Sequence, residues 1–378
     1  MDDESTEQGI RLLSQSGYQS GDAADFAYRR IERCLDAARH SIEIHMYVWR
    51  ADDVGHQIGR AVLRAADRGV RVKIMKDRGA VLYESQESNR KPFFPTPRSW
   101  GKRLYQRGLG MTFPRTWVQD DWDQSLGLRL MQHPKVDFVW VSPTHTKYYC
   151  IDERCLITGS LNLEDRHRNY HDVMMEIRGE RRVEQFRHAQ QCSGQDQASV
   201  GFTVLMNDPD RGRFEIKAKL LELVRLAKRS LHIEMAYLGD PDVTEVLVAA
   251  AQRGVHVTIL FSEKANIGND GNYHVLNQLM KSALVEVRMS SKMIHSKVMV
   301  IDGKRALFGS ANFSVFSLQR AGELSFLLDG SDAVDSLNEV LMERWSLGRP
   351  VVRRSEVSGY WKGMACLQHW YQQLGRHR

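Results

Sequence analysis

Hydrophobic and polar positions alternate in two distant stretches that read as one element written twice. Ala38-Arg39-His40-Ser41 leads into Ile42-Glu43-Ile44-His45-Met46-Tyr47, and Ala227-Lys228-Arg229-Ser230 leads into Leu231-His232-Ile233-Glu234-Met235-Ala236-Tyr237. The period of two predicts a half-buried strand in each. Apolar residues at helical spacing precede both: Ile31, Leu35 and Ala38 in the first, Leu220, Leu223, Val224 and Ala227 in the second. A second helical stretch follows each, Val54 to Arg68 and Val243 to Arg253, and stops at Gly69 or Gly254, where glycine suits a left-handed cap ahead of a β-branched strand. Strands alternating with helices of about 12 residues predict an α/β chain with right-handed crossovers. The expected fold is two similar α/β/α halves, each with a mixed, largely parallel sheet.

The repeat also divides the chain. Residues 1–192 form a first half, 193–212 a polar linker carrying Gly, Asp and Pro, 213–345 a second half, and 346–378 a C-terminal extension. The halves are unequal: Gly69 to His145 spans 76 positions and Gly254 to His295 only 41, which places an insertion in the first half at about 83–125. From Ser88 to Gln119 it holds seven Lys or Arg, no acidic residue, and Phe93, Phe94, Trp100, Tyr105, Phe113 and Trp117. Such a stretch reads as a solvated loop, a nucleic-acid groove or a lid for anionic lipid headgroups. The aromatic C-terminal stretch from Tyr360-Trp361 to Trp370-Tyr371 reads as an interfacial helix or as one packed on the body.

The chemistry concentrates near the end of each half. His145, Lys147, Asp152, Gly159, Ser160 and Asn162 recur as His295, Lys297, Asp302, Gly309, Ser310 and Asn312, each displaced by 150 positions. Six identities in one register arise by chance with a probability on the order of 10⁻⁷ to 10⁻⁸, so duplication is the better explanation. Histidine and lysine two apart on a strand share a face and can reach one ligand. The turns at Asp152-Glu153-Arg154 and Asp302-Gly303 then return the chain, delivering Gly-Ser-x-Asn beside each His-x-Lys.

Two copies face to face surround a pocket with two imidazoles, two ammonium groups and four neutral polar groups, which is an anion site suited to phosphate. Lys147 and Lys297 would spread the charge of a phosphodiester, with Ser160, Asn162, Ser310 and Asn312 as neutral phosphate-binding donors. One imidazole can attack phosphorus while the other protonates the leaving alkoxide. His145 is assigned as nucleophile and His295 as acid/base, an order the duplication makes nearly interchangeable on paper. Asp152 and Asp302 complete the motif, although they open the turn instead of sharing the phosphate-facing alternation. Each imidazole needs an acceptor on its second nitrogen, and Asp172 and Glu323 stand just downstream of the motifs. Spacing leaves open whether each serves its own histidine or the other one. No metal or cofactor is required, because an ammonium two residues from each imidazole repels a divalent cation and no acidic ligand cluster accompanies the motifs.

The doubled H-x-K-x4-D-x6-G-S-x-N pattern resembles the phospholipase D superfamily, whose members pair two such motifs across a pseudo-twofold axis. The surrounding residues look like bacterial cardiolipin synthases: Ser41-Ile42-Glu43-Ile44 with Tyr47, Arg68-Gly69-Val70-Arg71-Val72, and His171-Asp172 leading to Glu176-Ile177-Arg178-Gly179. The resemblance runs from about Phe26 to Trp345. It implies a phosphohistidine intermediate and a phospholipid substrate, phosphatidylglycerol or phosphatidylethanolamine, at a peripheral membrane surface. Ala321-Gly322-Glu323 stands where that family often has Asn-x-Glu, and the hydrophobic spans of its membrane-anchored members are missing. A metal-independent nuclease of the same superfamily and a non-catalytic lipid- or nucleic-acid-binding module are the rival readings.

Composition narrows this picture only slightly. The chain has 378 residues, 42% hydrophobic and 26% charged, with a net charge of +6, enough to bury a sizeable core and compatible with a phosphate-bearing partner. No apolar run approaches the roughly 20 residues of a membrane-spanning helix. The acidic start Met1-Asp2-Asp3-Glu4 is unlike an export signal, so the expected location is cytoplasmic, at the inner face of the membrane. Five cysteines without a CxxC pair argue against a disulfide framework.

Overall fold

The computed structural model describes residues 9–13, 22–86, 92–95, 125–141, 143–192, 201–265, 270–281, 285–330, 332–357, 359–363 and 365. Two mixed sheets organise them. The first contains β1 (Gly9–Leu12), β2 (Ser41–Met46), β3 (Arg71–Asp77), β4 (Val136–Val141), β5 (Tyr148–Ile151), β6 (Cys155–Gly159) and β7 (Met174–Arg178), in the order β1-β7-β6-β5-β2-β3-β4. The second contains β8 (Phe202–Asp208), β9 (Arg213–Phe214), β10 (Ser230–Met235), β11 (His256–Ser262), β12 (Val285–Ser290), β13 (Lys297–Ile301), β14 (Arg305–Gly309), β15 (Glu323–Asp329) and β16 (Arg349–Pro350). Its order, β16-β12-β11-β10-β13-β14-β15-β8-β9, repeats that of the first sheet with β10 to β15 in the places of β2 to β7.

Among the described sheet strands, parallel pairing is confined to β2, β3 and β4 and to β10, β11 and β12, which are joined through helical crossovers. The remaining pairs are antiparallel, because the motif hairpins β5-β6 and β13-β14 and the strands after them return directly. The sheets are therefore mixed as expected, with a smaller parallel share than the crossover pattern implies. The stretch read as a linker also differs. Phe202–Asp208 is β8, paired antiparallel with β15 as β1 is with β7, so it opens the second half. The apolar run Phe202 to Met206 is the signal for it, masked by its Gly- and Pro-containing surroundings.

Helices Asp53–Asp67 and Pro241–Gln252 cover the sheets at matching positions, and each bears an aspartate cap: Asp52 accepts from the Gly55 N–H, and Asp240 from those of Asp242 and Val243. A third apolar cluster joins the halves: Tyr148, Leu156, Met175 and Phe186 of the first pack with Val298, Phe308, Leu324 and Phe326 of the second. This shared core makes the two halves one body and fixes what faces what between them. Within the insertion, Phe93 and Phe94 are fully buried against Trp49 and Phe138, so they are core residues and not part of a lid. Trp100, Tyr105, Phe113 and Trp117 lie outside the described residues, as do residues 366–378. Trp361 stays exposed. Among the described residues no helix is long and apolar enough to cross a membrane.

Candidate active site

Each motif histidine sits in the short segment leading into β5 or β13, and the halves stitch these segments together reciprocally. The His145 N–H donates to the Gly322 carbonyl at 2.7 Å, and those of His295 and Ser296 donate to the His171 carbonyl at 2.8 Å. Isolated bridges pair Thr144 with Gly322 and His171 with Ile294. Residue i of one half meeting residue j of the other, and the reverse, is what twofold-related surfaces produce. The approach to each histidine is thus held by the segment that carries the opposite half's carboxylate.

That exchange answers the question spacing left open. His295 Nδ1 lies 2.8 Å from Asp172 Oδ1, and His145 Nδ1 lies 2.9 Å from the Ser310 carbonyl and 3.2 Å from Glu323. Each carboxylate serves the histidine of the other half. With Nδ1 carrying the proton, Nε2 of both rings is left for chemistry. Asp172 and Glu323 are both buried. Burial alone would raise the Asp172 carboxyl, but His295 and His167 hold it well below the usual carboxylate range. Burial likewise opposes charge on Glu323, and His145 and Lys147 lower it from the usual carboxylate value.

Ser160 and Ser310 stand behind the histidines. Ser160 Oγ donates to Asp172 Oδ1 at 2.6 Å and accepts from the Val173 N–H; Ser310 Oγ donates to Glu323 and accepts from the Leu324 N–H. Both hydroxyls are committed to holding a carboxylate, a correction to their reading as phosphate ligands. Asn162 and Asn312 retain a free end: Oδ1 of each is buried without a hydrogen-bond partner among the described residues, and with the amide turned over the NH₂ takes that place as a donor. Of the four neutral groups, these two remain suited to a ligand.

Lys147 and Lys297 are buried, and each Nζ donates to the carbonyl of the histidine two residues before it. Burial, then the charge of Lys297, lowers Lys147 to about 7, and burial lowers Lys297 to about 8. His145 is lowered to about 4 by burial and by Lys147, with Lys297 adding to the effect. Groups 150 positions apart therefore share one electrostatic neighbourhood, and an anion placed there would restore the charged form of both lysines. Tyr47 completes this side, its ring 4.6 Å from the His145 ring and under the Lys147 ammonium at 5.3 Å.

Asp152 and Asp302 are not brought to the pocket. They lie past the opposite ends of β5 and β13, in left-handed backbone. Asp152 accepts from the N–H groups of Arg39, His40 and Ser41, and Asp302 from those of Lys228, Arg229 and Ser230. Their place in the catalytic set is corrected accordingly: each ties the start of the neighbouring central strand to the motif turn.

Sequence reasoning missed a layer behind the pocket. His167 is fully buried, with Nδ1 at 2.6 Å from Asp172 and Nε2 at 3.0 Å from Glu164. Arg50 and Arg166 pair with Glu164 from the far side. In the second half the position 150 residues on is Ser317, whose hydroxyl donates to Glu323. Because histidine and serine differ, a search for identities passes over the pair. His167, Asp172 and His295 bring ligand-type atoms within 4.8 Å of one another, as do Cys34, Cys155 and Glu176. The first trio is already a chain of short hydrogen bonds, and in the second Arg30 and Arg178 hold Glu176.

Comparison with known proteins agrees with this architecture. A family model described as "Cardiolipin synthase, PLD-like domain" matches residues 31–191 and 220–345. Cardiolipin synthase A of Buchnera aphidicola is 22% identical over 332 residues, covering 79% of this chain and 63% of that protein. Cardiolipin synthase 1 of Bacillus cereus is 21% identical over 352 residues, covering 83% and 63%. The chain thus spans 63% of the length of these relatives. The crystal structure of phosphatidylserine synthase from Haemophilus influenzae superposes with a TM-score of 0.67 at 13% identity, covering 97% of this chain and 93% of that one, a likeness of fold alone. With two copies of the family model spanning both halves, the chain belongs to the phospholipase D-like family of the cardiolipin synthase type.

Proposed function

We propose that the protein is a phosphatidyltransferase that moves a phosphatidyl group onto an alcohol, in the manner of a cardiolipin synthase, with water as a competing acceptor. The observation that supports this most is the pair of imidazoles from opposite halves, each held on Nδ1 by the other half's carboxylate, beside two buried lysines. In this reading one Nε2 attacks phosphorus, forming an N–P bond as the P–O bond to the leaving alcohol breaks. The other imidazole gives its Nε2 proton to that alkoxide. An incoming hydroxyl then returns a proton to the second imidazole, attacks phosphorus and releases the first. Lys147 and Lys297, with Asn162 and Asn312, stabilise the charge on the non-bridging oxygens, where removing one donor typically costs about 10² to 10³ in turnover.

The relatives' names and the excess of basic residues favour phosphatidylglycerol or phosphatidylethanolamine as donor, met at the inner face of a cytoplasmic membrane. The test is mass spectrometry of lipids after incubation with both donors in anionic vesicles containing EDTA. Cardiolipin, or phosphatidic acid if water is the acceptor, is expected despite the chelator. Cleavage of oligonucleotide faster than any lipid turnover would overturn the lipid assignment in favour of a nuclease.

A further inference from the structure

We propose that His167 is a permanently charged positioning residue that makes the two motif histidines unequal and selects His295 as the nucleophile, with His145 as the acid/base; this rests on the phosphohistidine reading above. It also reverses the order assigned from sequence.

The argument starts from donors and acceptors. Both nitrogens of His167 face carboxylate oxygens, Nδ1 that of Asp172 at 2.6 Å and Nε2 that of Glu164 at 3.0 Å. An ionised carboxylate only accepts, and a neutral imidazole has one N–H, so satisfying both contacts requires the doubly protonated ring. Both carboxylates are held ionised. Glu164 sits beside the Arg50 and Arg166 guanidiniums, and Asp172 takes hydrogen bonds from Ser160 and His295. Burial opposes charge on His167, yet Asp172 and Glu164 raise it above the ordinary imidazole range. An amide of Asn162 turned so that its oxygen accepts from His167 Nε2 would leave its NH₂ as the free end in the pocket.

The consequence falls on one side only. The His167 and His295 rings lie 4.4 Å apart, nearly perpendicular, and share Asp172. A second proton on His295 would put two imidazoliums on one carboxylate beside the Lys297 ammonium, so His295 stays neutral with its Nε2 lone pair available. Burial, Lys297 and His167 together hold it well below the ordinary range, against the pull of Asp172. Tyr170 flanks both rings and brings no charge at neutral pH. Around His145 the matching position is neutral: Glu323 has Ser310 and Ser317, and the cations in reach are Lys147 and Lys297. With an anionic diester bound, His145 is the imidazole that can take up the proton. It then supplies that proton to the leaving oxygen as His295 bonds to phosphorus.

The experiment uses bis(p-nitrophenyl) phosphate, whose leaving group needs no proton, with alkaline quench and peptide mass spectrometry. Trypsin separates the peptide ending Ser296-Lys297 from that ending Thr146-Lys147. A phosphoryl adduct is expected on His295 in the wild type and to a greater extent in H145A, and on neither peptide in H295A. In H167S, which copies the second half, the acidic limb of kcat/KM moves to higher pH by about one unit, since loss of the cation lets His295 hold its proton longer. An adduct on His145 in the wild type would overturn the proposal and leave the phosphohistidine reading standing. Turnover without any adduct in wild type and H145A would overturn both. An H167S limb that does not move, with the adduct on His295, would remove His167 from the selection.

Discussion

Alanine in place of His145 or His295 is expected to lower kcat for a phospholipid substrate by roughly 10³- to 10⁶-fold, the range seen when a nucleophile or its paired acid is deleted. The chain should remain folded in both cases. Deleting the His295 ring leaves Asp172 bonded to Ser160 and His167, and deleting the His145 ring leaves Glu323 bonded to Ser310 and Ser317. No buried carboxylate is stranded, so the stability cost stays near that of a truncated, mostly buried ring, about 1–3 kcal/mol. Steady-state kinetics with thermal unfolding of the same samples checks this. A variant that keeps a tenth of the wild-type turnover would remove its histidine from the chemistry.

The second large effect is on folding, at the glycines that open each Gly-Ser-x-Asn. Gly159 and Gly309 have φ of +153° and +156°, and a Cβ there would lie 2.1 Å from the Val173 carbonyl oxygen and 2.2 Å from that of Leu324. Backbone, not a flexible side chain, must give way. The same carbonyls accept from the Ser160 and Ser310 N–H groups at 2.9 Å, so a shift also displaces the serines that hold Asp172 and Glu323. Gly159→Ala and Gly309→Ala should each cost about 3 kcal/mol or more, with loss of turnover in the fraction that folds. Gly69→Ala is the comparison, because its φ is +93° but nothing lies within 4 Å of the added Cβ. It should cost only about 1 kcal/mol of backbone strain. Equal denaturation midpoints for the three variants would contradict the close-approach argument.

These two predictions differ in how far the sequence alone supports them. The motif residues, their 150-position displacement and the hairpins that follow are local patterns, and local periodicity is what a single sequence displays well. The strands at Tyr148–Ile151 and Lys297–Ile301 follow from it. Cross-half contacts have no such signature. That Asp172 reaches His295 and Glu323 reaches His145 depends on two sheets sharing a core of Phe186, Phe308 and Phe326, whose pairing across the halves leaves no local pattern in the sequence. The serines misled because a hydroxyl beside a phosphate and a hydroxyl behind a carboxylate look alike in a string of residues. The antiparallel balance of the sheets was hidden for a similar reason, since crossover helices are conspicuous and direct returns are short.

Asymmetry was the least visible feature. Duplication draws attention to what the halves share, whereas His167 against Ser317 lies in what they do not. A buried histidine between two carboxylates is costly unless it is charged, and its charge acts on only one of two otherwise matched imidazoles.

The central claim is that both imidazoles address a single phosphorus atom, and a crystal structure with orthovanadate, which adopts the trigonal bipyramid of phosphoryl transfer, tests it most directly. The account predicts vanadium bonded to Nε2 of one histidine, with the opposite apical oxygen hydrogen-bonded to Nε2 of the other and equatorial oxygens on Lys147 and Lys297. Vanadate bound through only one half, or elsewhere on the protein with the cleft between His145 and His295 left to water, would contradict it.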